Sequence, residues 1–362
     1  IEHEVLIVGG GPAALAAALA AAERVGTAMV SKVHPLRFLS GEARGDFAAP
    51  LGRAGPDSWQ DHCQDTLRAG CGLCEEEAAA WLAREAVGAA ITLEHQGMPF
   101  ARDAAGRIAQ RLLLGHRAAR ACHVGDFTGK ALVDTLWGQT VRLGVRTYSD
   151  YCSVALLLNE EGCCGLMAWD LLHGGLVQFR SKAVVLAGGG MGEAWAATSN
   201  PYWATGEGLW LGAQAGALLR DLEFVVFQPV VAGKVRLEVG DEARSVGGCL
   251  RVRGERLIQD ASAANTHVPE PALVSEAMVR AQRNGARVEA DFRHLHPATV
   301  AEELPQLCRL AAWLHGVELA RAPLPVEIGA HFLLGGLLVS STGGVLNQDG
   351  EALPGLFAAG EC

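Results

Sequence analysis

The chain is poor in basic residues and has none in blocks. Thirty Lys and Arg stand against forty Asp and Glu, a formal net charge of −10 in 362 residues. A nucleic-acid partner, which needs a basic stripe, is not expected. Long apolar runs are also missing. The stretch 5–22 is interrupted by a glycine turn and the stretch 208–219 is too short to cross a bilayer, so no direct membrane span is expected. No basic leader with a cleavage site precedes the first strand, and no signal peptide is expected. Ten cysteines are too few for a disulfide framework in a chain this long. Cys71-Gly-Leu-Cys74 has CxxC spacing, but no second pair follows at zinc-site distance, so no metal is expected. The pair reads as buried or incidental, and Cys163-Cys164 as a structural pair in a turn. Reduced thiols suit the cytoplasm.

What is present begins almost at once. The apolar strand at 4–8 runs into Gly9-Gly-Gly11-Pro12-Ala13-Ala14 and an alanine-rich helix over 12–24. This is Gly-x-Gly-x-x-Ala between a strand and a helix, the setting that a dinucleotide fingerprint requires. Gly9 allows the tight turn, Gly11 lets backbone approach a pyrophosphate, and Ala14 lets helix and strand pack closely. The helix start offers free amides and a positive dipole end to phosphate. The fingerprint does not choose between NAD and FAD. The next strand, 27–30, ends at Ser31-Lys32, where an NAD-type unit would place a ribose-binding acid, and that disfavours NAD.

Half the residues are apolar, and the length suits two domains. Helical patterns cover 58–98, 128–143, 272–284 and 299–316. Strands are expected at 153–158, 165–170 and 182–187, the last ending in Gly188-Gly-Gly190. Polar loops are expected at 232–246 and 259–271. A hairpin-like region at 332–347 then leads to Ala358-Ala-Gly360-Glu361-Cys362. Glu361 follows a small-residue strand, where a carboxylate can meet ribityl hydroxyls.

These segments resemble, in order along nearly the whole chain, the flavoprotein subunit of fumarate reductase and succinate dehydrogenase, with L-aspartate oxidase as a cousin. The resemblance rests on Ser31-Lys32-Val33-His34-Pro35-Leu36-Arg37, Ala43-Arg44-Gly45-Asp46, and the run from Asp57-Ser58 through His62 and Asp65-Thr66 to Gly70. It continues through Gly115-His116, Arg120 and Asp126 to Gly129, Ala183 to Gly190, Asn200-Pro201 to Gly208, Leu222-Glu223-Phe224, and Gly355 to Glu361. It implies an α/β fold: a doubly wound FAD-binding domain from 1–225 and 331–362, interrupted by an α+β capping domain at 226–330. FAD is the implied cofactor. Gly9, Gly11, Pro12, Ala13, Ala14, Ser31, Lys32, Ser40, Ala43, Gly45, Gly188, Glu207 and Glu361 are the expected cofactor-binding set.

The chain also departs from the family. Leu39 stands where covalent members carry a flavin-linking His, which implies non-covalent FAD. Gln228 replaces a substrate-clamping His, Gly240 a Thr, and Pro271 the proton-donor Arg. No Arg-Asp pair occurs between 260 and 290. Proline cannot donate a proton. Arg244, Asp241 (one carbon shorter than the usual Glu) and His331 remain as candidate catalytic residues. The resemblance implies electron transfer between a small dicarboxylate and an iron–sulfur subunit, in the cytoplasm or mitochondrial matrix and peripheral to a membrane through partners. The departures leave open a catalytically degenerate scaffold, or a soluble oxidase of the aspartate-oxidase type.

Overall fold

The computed structural model describes residues 1–38, 45–113, 115–233, 235–258 and 271–362. Leu39, Ser40 and Ala43 lie outside the described residues. The chain divides into two compact units. The first is Ile1–Ser40, Leu132–Val226 and Ala330–Cys362, and the second is Gly41–Ala131 and Phe227–Gly329.

The first unit is built on a six-stranded sheet. Its strands are β1 (Val5–Val8), β2 (Thr27–Ser31), β3 (Arg146–Ser149), β4 (Ala183–Leu186), β5 (Gly344–Leu346) and β6 (Ala352–Ala358), in the order β5-β6-β4-β1-β2-β3. All neighbours are parallel except β5 and β6, whose hairpin spans 344–358, further along the chain than the hairpin-like region expected at 332–347. Register brings Val5 beside Ala183 and Val8 beside Leu186, so β1 and β4 end together. Strands covered on both faces read as continuous apolar runs, and Val-Leu-Ile-Val and Ala-Val-Val-Leu do so. Their side chains join Phe179, Leu166 and Leu356 in one core. The crossover from β1 to β2 is α1 (Pro12–Ala22), which buries Ala14, Leu15, Ala18 and Leu19 on one side. An antiparallel meander (Tyr151–Asn159, Gly162–Asp170, Leu176–Arg180) completes the unit. Cys163 and Cys164 lie in its central strand rather than in a turn, because the chain reverses earlier, at Glu160-Glu161, and Gly162 already pairs with Asn159.

A five-stranded sheet lies mainly in the second unit, in the order Val225–Val231, Leu324–Leu333, Val288–Asp291, Cys249–Val252, Glu255–Arg256, the first two strands beginning or ending in residues of the first unit. Met278, Phe292 and Leu307 are at its core. The same unit takes in helices Trp59–Ala69 and Glu76–His95 and the small sheet of Phe47–Ala48, Ala121–Cys122 and Gln110–Arg111. Sequence motifs had counted 41–131 with the first domain. Its contacts place it with 227–329, and Asp126 shows why. The Asp126 carboxylate is fully buried and accepts the Gln306 and Leu307 amides at 3.0 and 2.8 Å. It thereby caps helix Pro305–His315 from 180 residues away. The region read as a loop at 232–246 contains a one-turn helix, Asp241–Ser245. Cys71 and Cys74 are exposed free thiols, not buried ones. Among the described residues no helix is long and apolar enough to cross a membrane.

Candidate functional site

In the first unit the chemistry is carried by turns at the C-terminal ends of strands. Gly9 has φ +134°, and a Cβ there would stand 2.1 Å from the Ala187 carbonyl oxygen. Only glycine lets the β1 turn touch the end of β4. α1 then starts at Pro12, whose missing N–H costs nothing in a first turn. No acidic residue occupies that turn, so its positive end is left for an anion. Ala14 is fully buried and sets the close approach of helix to sheet.

Around this turn lies a cavity of about 290 Å³. Gly11, Pro12 and Ala13 form one wall, and Gly188 to Gly190 after β4 form another. Asn200, Trp203 and the Gly360-Glu361 pair after β6 close it. Most of the lining is bare peptide. Space is tight: a Cβ on Gly190 would meet Glu361 Oε1 at 2.3 Å, and one on Gly360 would meet the Ala13 Cβ at 2.7 Å. Glu361 Oε1 accepts the Leu333 amide at 3.0 Å. Burial pushes the Glu361 carboxyl above its ordinary range, against the opposing pull of the Leu333 amide and His331. A helix N-terminus facing exposed peptide, with one carboxylate held beside it, fits a pyrophosphate flanked by hydroxyl-bearing carbons.

Ser31, Lys32 and Glu207 are placed differently. The Ser31 hydroxyl donates to the Val33 carbonyl at 2.7 Å. Lys32 and Glu207 form an ion pair, with Thr205 Oγ1 2.8 Å from Lys32 Nζ and 2.7 Å from the Glu207 carboxylate. These side chains satisfy one another at the end of β2 and do not line the cavity. Gly45 is exposed and belongs to the second unit.

The expected catalytic trio is divided between the units. His331, in the first, has Nδ1 2.7 Å from the Ser199 hydroxyl, and its carbonyl accepts from Asn200. Asp241 and Arg244, in the second, are ion-paired on the one-turn helix. Arg244 is 6 % exposed, and its Nη2 also reaches Gln228 Oε1 at 3.4 Å. Its Nε and Nη1 are buried without a hydrogen-bond partner among the described residues. A buried guanidinium with open donors favours an arriving acid.

Beneath the motif residues of the second unit lies an ionic nest. Arg120, fully buried, donates to Asp57 at 3.0 and 2.8 Å and to Asp65 at 2.8 Å. Arg117 donates to Asp65 through its side chain at 2.6 Å and its amide at 3.0 Å. Burial alone would raise the Asp65 carboxyl, but the hydrogen bonds from Arg117 and the charges of both arginines hold it below its ordinary value. The rings of His62 and His116 lie 6.2 Å apart, and burial followed by the Arg120 charge lowers both. Asp46 binds Arg111 through both oxygens, at 2.7 and 2.9 Å, and accepts the Thr128 hydroxyl at 3.0 Å.

In the sequence Asn200-Pro201 stands only as part of a motif, and Trp203 is not among the expected site residues. Trp203 falls inside the run 200–208 at a position the motif does not fix, and the fold brings it to the cavity.

A family model described as an FAD binding domain matches residues 4–362. The succinate dehydrogenase flavoprotein subunit of Rickettsia bellii is 33% identical, covering 99% of this chain and 64% of that protein. The fumarate reductase flavoprotein subunit of Mycobacterium tuberculosis is 32% identical, again over 99% and 64%. A mutant FrdA subunit of Escherichia coli quinol fumarate reductase superposes with a TM-score of 0.90 at 30% identity, over all of this chain and 65% of that one. The chain thus spans 64% of the length of the first of these relatives. It belongs to the FAD-binding domain family, with FAD as its cofactor, and its relatives there are succinate dehydrogenase and fumarate reductase flavoprotein subunits.

Proposed function

We propose that the chain is the flavin-binding portion of an electron-transfer subunit of fumarate reductase/succinate dehydrogenase type, working between a small acid and an iron–sulfur partner. The observation that carries this reading is the peptide-lined cavity at the α1 N-terminus with Glu361 held beside it. When bound there, FAD supplies two-electron exchange with an organic acid. The α1 amides of Ala13 and Ala14 would hold its pyrophosphate, and Gly188 to Gly190 would admit it without side-chain conflict. Glu361, fixed by the Leu333 amide, offers an acceptor to its hydroxyls. Attachment is non-covalent, since Leu39 has no nucleophile to offer.

Arg244 is the cation that would meet a substrate carboxylate, through its unpaired Nε and Nη1. Asp241 holds that guanidinium in place and is the candidate proton carrier. With Gln228, Gly240 and Pro271 at clamp and donor positions, turnover of plain dicarboxylates is slow, because a missing general acid costs about 10²–10⁴ in rate. The partner would be a cysteine-rich subunit, and any membrane association indirect, on the cytoplasmic or matrix side.

Anaerobic mixing of FAD-loaded protein with succinate tests the acid half of the reading. Bleaching of the flavin band over minutes, abolished in Arg244→Met, is the expected result. Bleaching at the usual enzymatic rates of about 1–10³ per second would overturn the claim of a weakened acid site. Purification from native material as a lone chain, with no iron–sulfur protein, would overturn the partner.

A further inference from the structure

Among the described residues that line the cavity, one is aromatic, Trp203. We propose that its indole is the surface on which the isoalloxazine ring of FAD stacks. The proposal rests on FAD occupying this cavity.

Trp203 sits on a short, fixed turn. The Ala204 amide donates to the Pro201 carbonyl at 2.9 Å, and the Ala204 carbonyl accepts the Glu193 amide at 3.1 Å. Its neighbour Tyr202 stands edge-on to it, ring centroids 4.8 Å apart and planes at 79°. The preceding Asn200 cannot swing in, since its amide nitrogen donates to Thr198 at 3.2 Å and to the His331 carbonyl. A rigid turn thus brings one aromatic side chain to a cavity otherwise walled by peptide, proline and alanine, with Asn200 and Glu361 at its edge. Flat aromatic rings are the ligands such a surface holds, in offset or edge contact.

Topology selects the flavin ring over adenine. A pyrophosphate at the β1 turn sends its adenosine toward β2. Strand order puts β4 and β6 on the opposite side of β1 from β2. The turn carrying Trp203 reaches β2 only further on, where Thr205 meets Lys32; Trp203 itself shares the cavity with the turns that follow β4 and β6, and Ser31 and Lys32 do not line it. The ring that reaches Trp203 is therefore the one at the other end of FAD.

An indole in contact with a flavin quenches its emission, lending the excited ring an electron and taking it back, with no net reaction. Phenylalanine can stack but is too hard to oxidise to do so. The test is FAD titration of the wild-type chain, Trp203→Leu and Trp203→Phe, read by flavin fluorescence and by equilibrium dialysis, with far-UV circular dichroism as the check on folding. Wild-type protein should bind FAD with strongly quenched emission. In W203L, emission per bound FAD should rise several-fold and affinity fall about threefold to tenfold. W203F should brighten in the same way yet keep most of the affinity. Unchanged emission and affinity in W203L would overturn the proposal. So would a loss of affinity shared equally by ADP with flavin emission unmoved, which would assign the stacked ring as adenine. If the wild-type chain binds no FAD, the FAD reading itself falls, and the proposal with it.

Discussion

The cleft of the first unit and the nest of the second achieve precision by opposite means. Around the α1 N-terminus side chains have been removed: Gly9, Gly190 and Gly360 stand where any Cβ would collide with a neighbour at 2.1 to 2.7 Å. Around Arg120 side chains have been accumulated, and two carboxylates are matched to one buried guanidinium. The first region is intolerant of added atoms and the second of lost ones. A backbone cradle can hold a ligand of fixed shape without selecting a charge. An ionic nest holds segments distant in sequence, 57, 65 and 120, in one arrangement.

The largest effect should come from emptying the nest. Arg120→Leu leaves the buried Asp57 carboxylate without the guanidinium that pairs it and strips one of several cationic partners from Asp65, and breaking buried pairs in this way costs about 3–5 kcal/mol. An unfolding free energy from urea denaturation lowered by less than a quarter of that would mean the nest is not a stabilising centre. Adding to the cleft should come next. Gly9→Ala combines a 2.1 Å collision with a φ that only glycine adopts comfortably, and overpacking of this kind costs about 1–3 kcal/mol. Normal stability in that variant would contradict the tight turn. Asp126→Ala removes two hydrogen bonds from the start of helix Pro305–His315 and should cost about 1–2 kcal/mol. Asp126→Asn, which keeps acceptor oxygen, should recover part of that.

The mildest effect separates the regions by pH. His62 and His116 have folded-state pKa values below their ordinary value of 6.5. The unfolded chain therefore binds more protons between the two, and stability rises with pH there. Their contribution is complete above about pH 6.5 and is lost as pH falls through the lowered values. Thermal midpoints should drop between pH 7.5 and 5.5, and the drop should shrink in His62→Gln. The Glu361 carboxyl has the opposite sign, because its raised folded pKa favours the folded state at low pH and loses that advantage as pH rises through it.

The parallel sheet was legible because short buried strands ending in glycine turns announce themselves locally, as 5–14 and 183–190 do. The residues of the cavity were legible where they belong to those turns: Gly11, Pro12, Ala13, Gly188 and Glu361. Pairings across the chain were not. Lys32 finds Glu207 at a separation of 175 residues, and no local pattern says that the two satisfy each other. The placement of 41–131 depends on Asp126 reaching a helix 180 residues on, which a motif scan cannot see. The one-turn helix at Asp241–Ser245 is too short to impose a period on the sequence. Trp203 lies in an irregular turn, where neither period applies.

The most direct test is FAD stoichiometry and release, measured on the wild-type chain and on Gly360→Val in parallel. The expected result is one FAD per wild-type chain, all of it freed by acid, with at least tenfold weaker binding in Gly360→Val because the new side chain enters the cradle against Ala13. Flavin retained on the polypeptide after acid, or equal affinity in the two proteins, would contradict a peptide-lined, non-covalent flavin site.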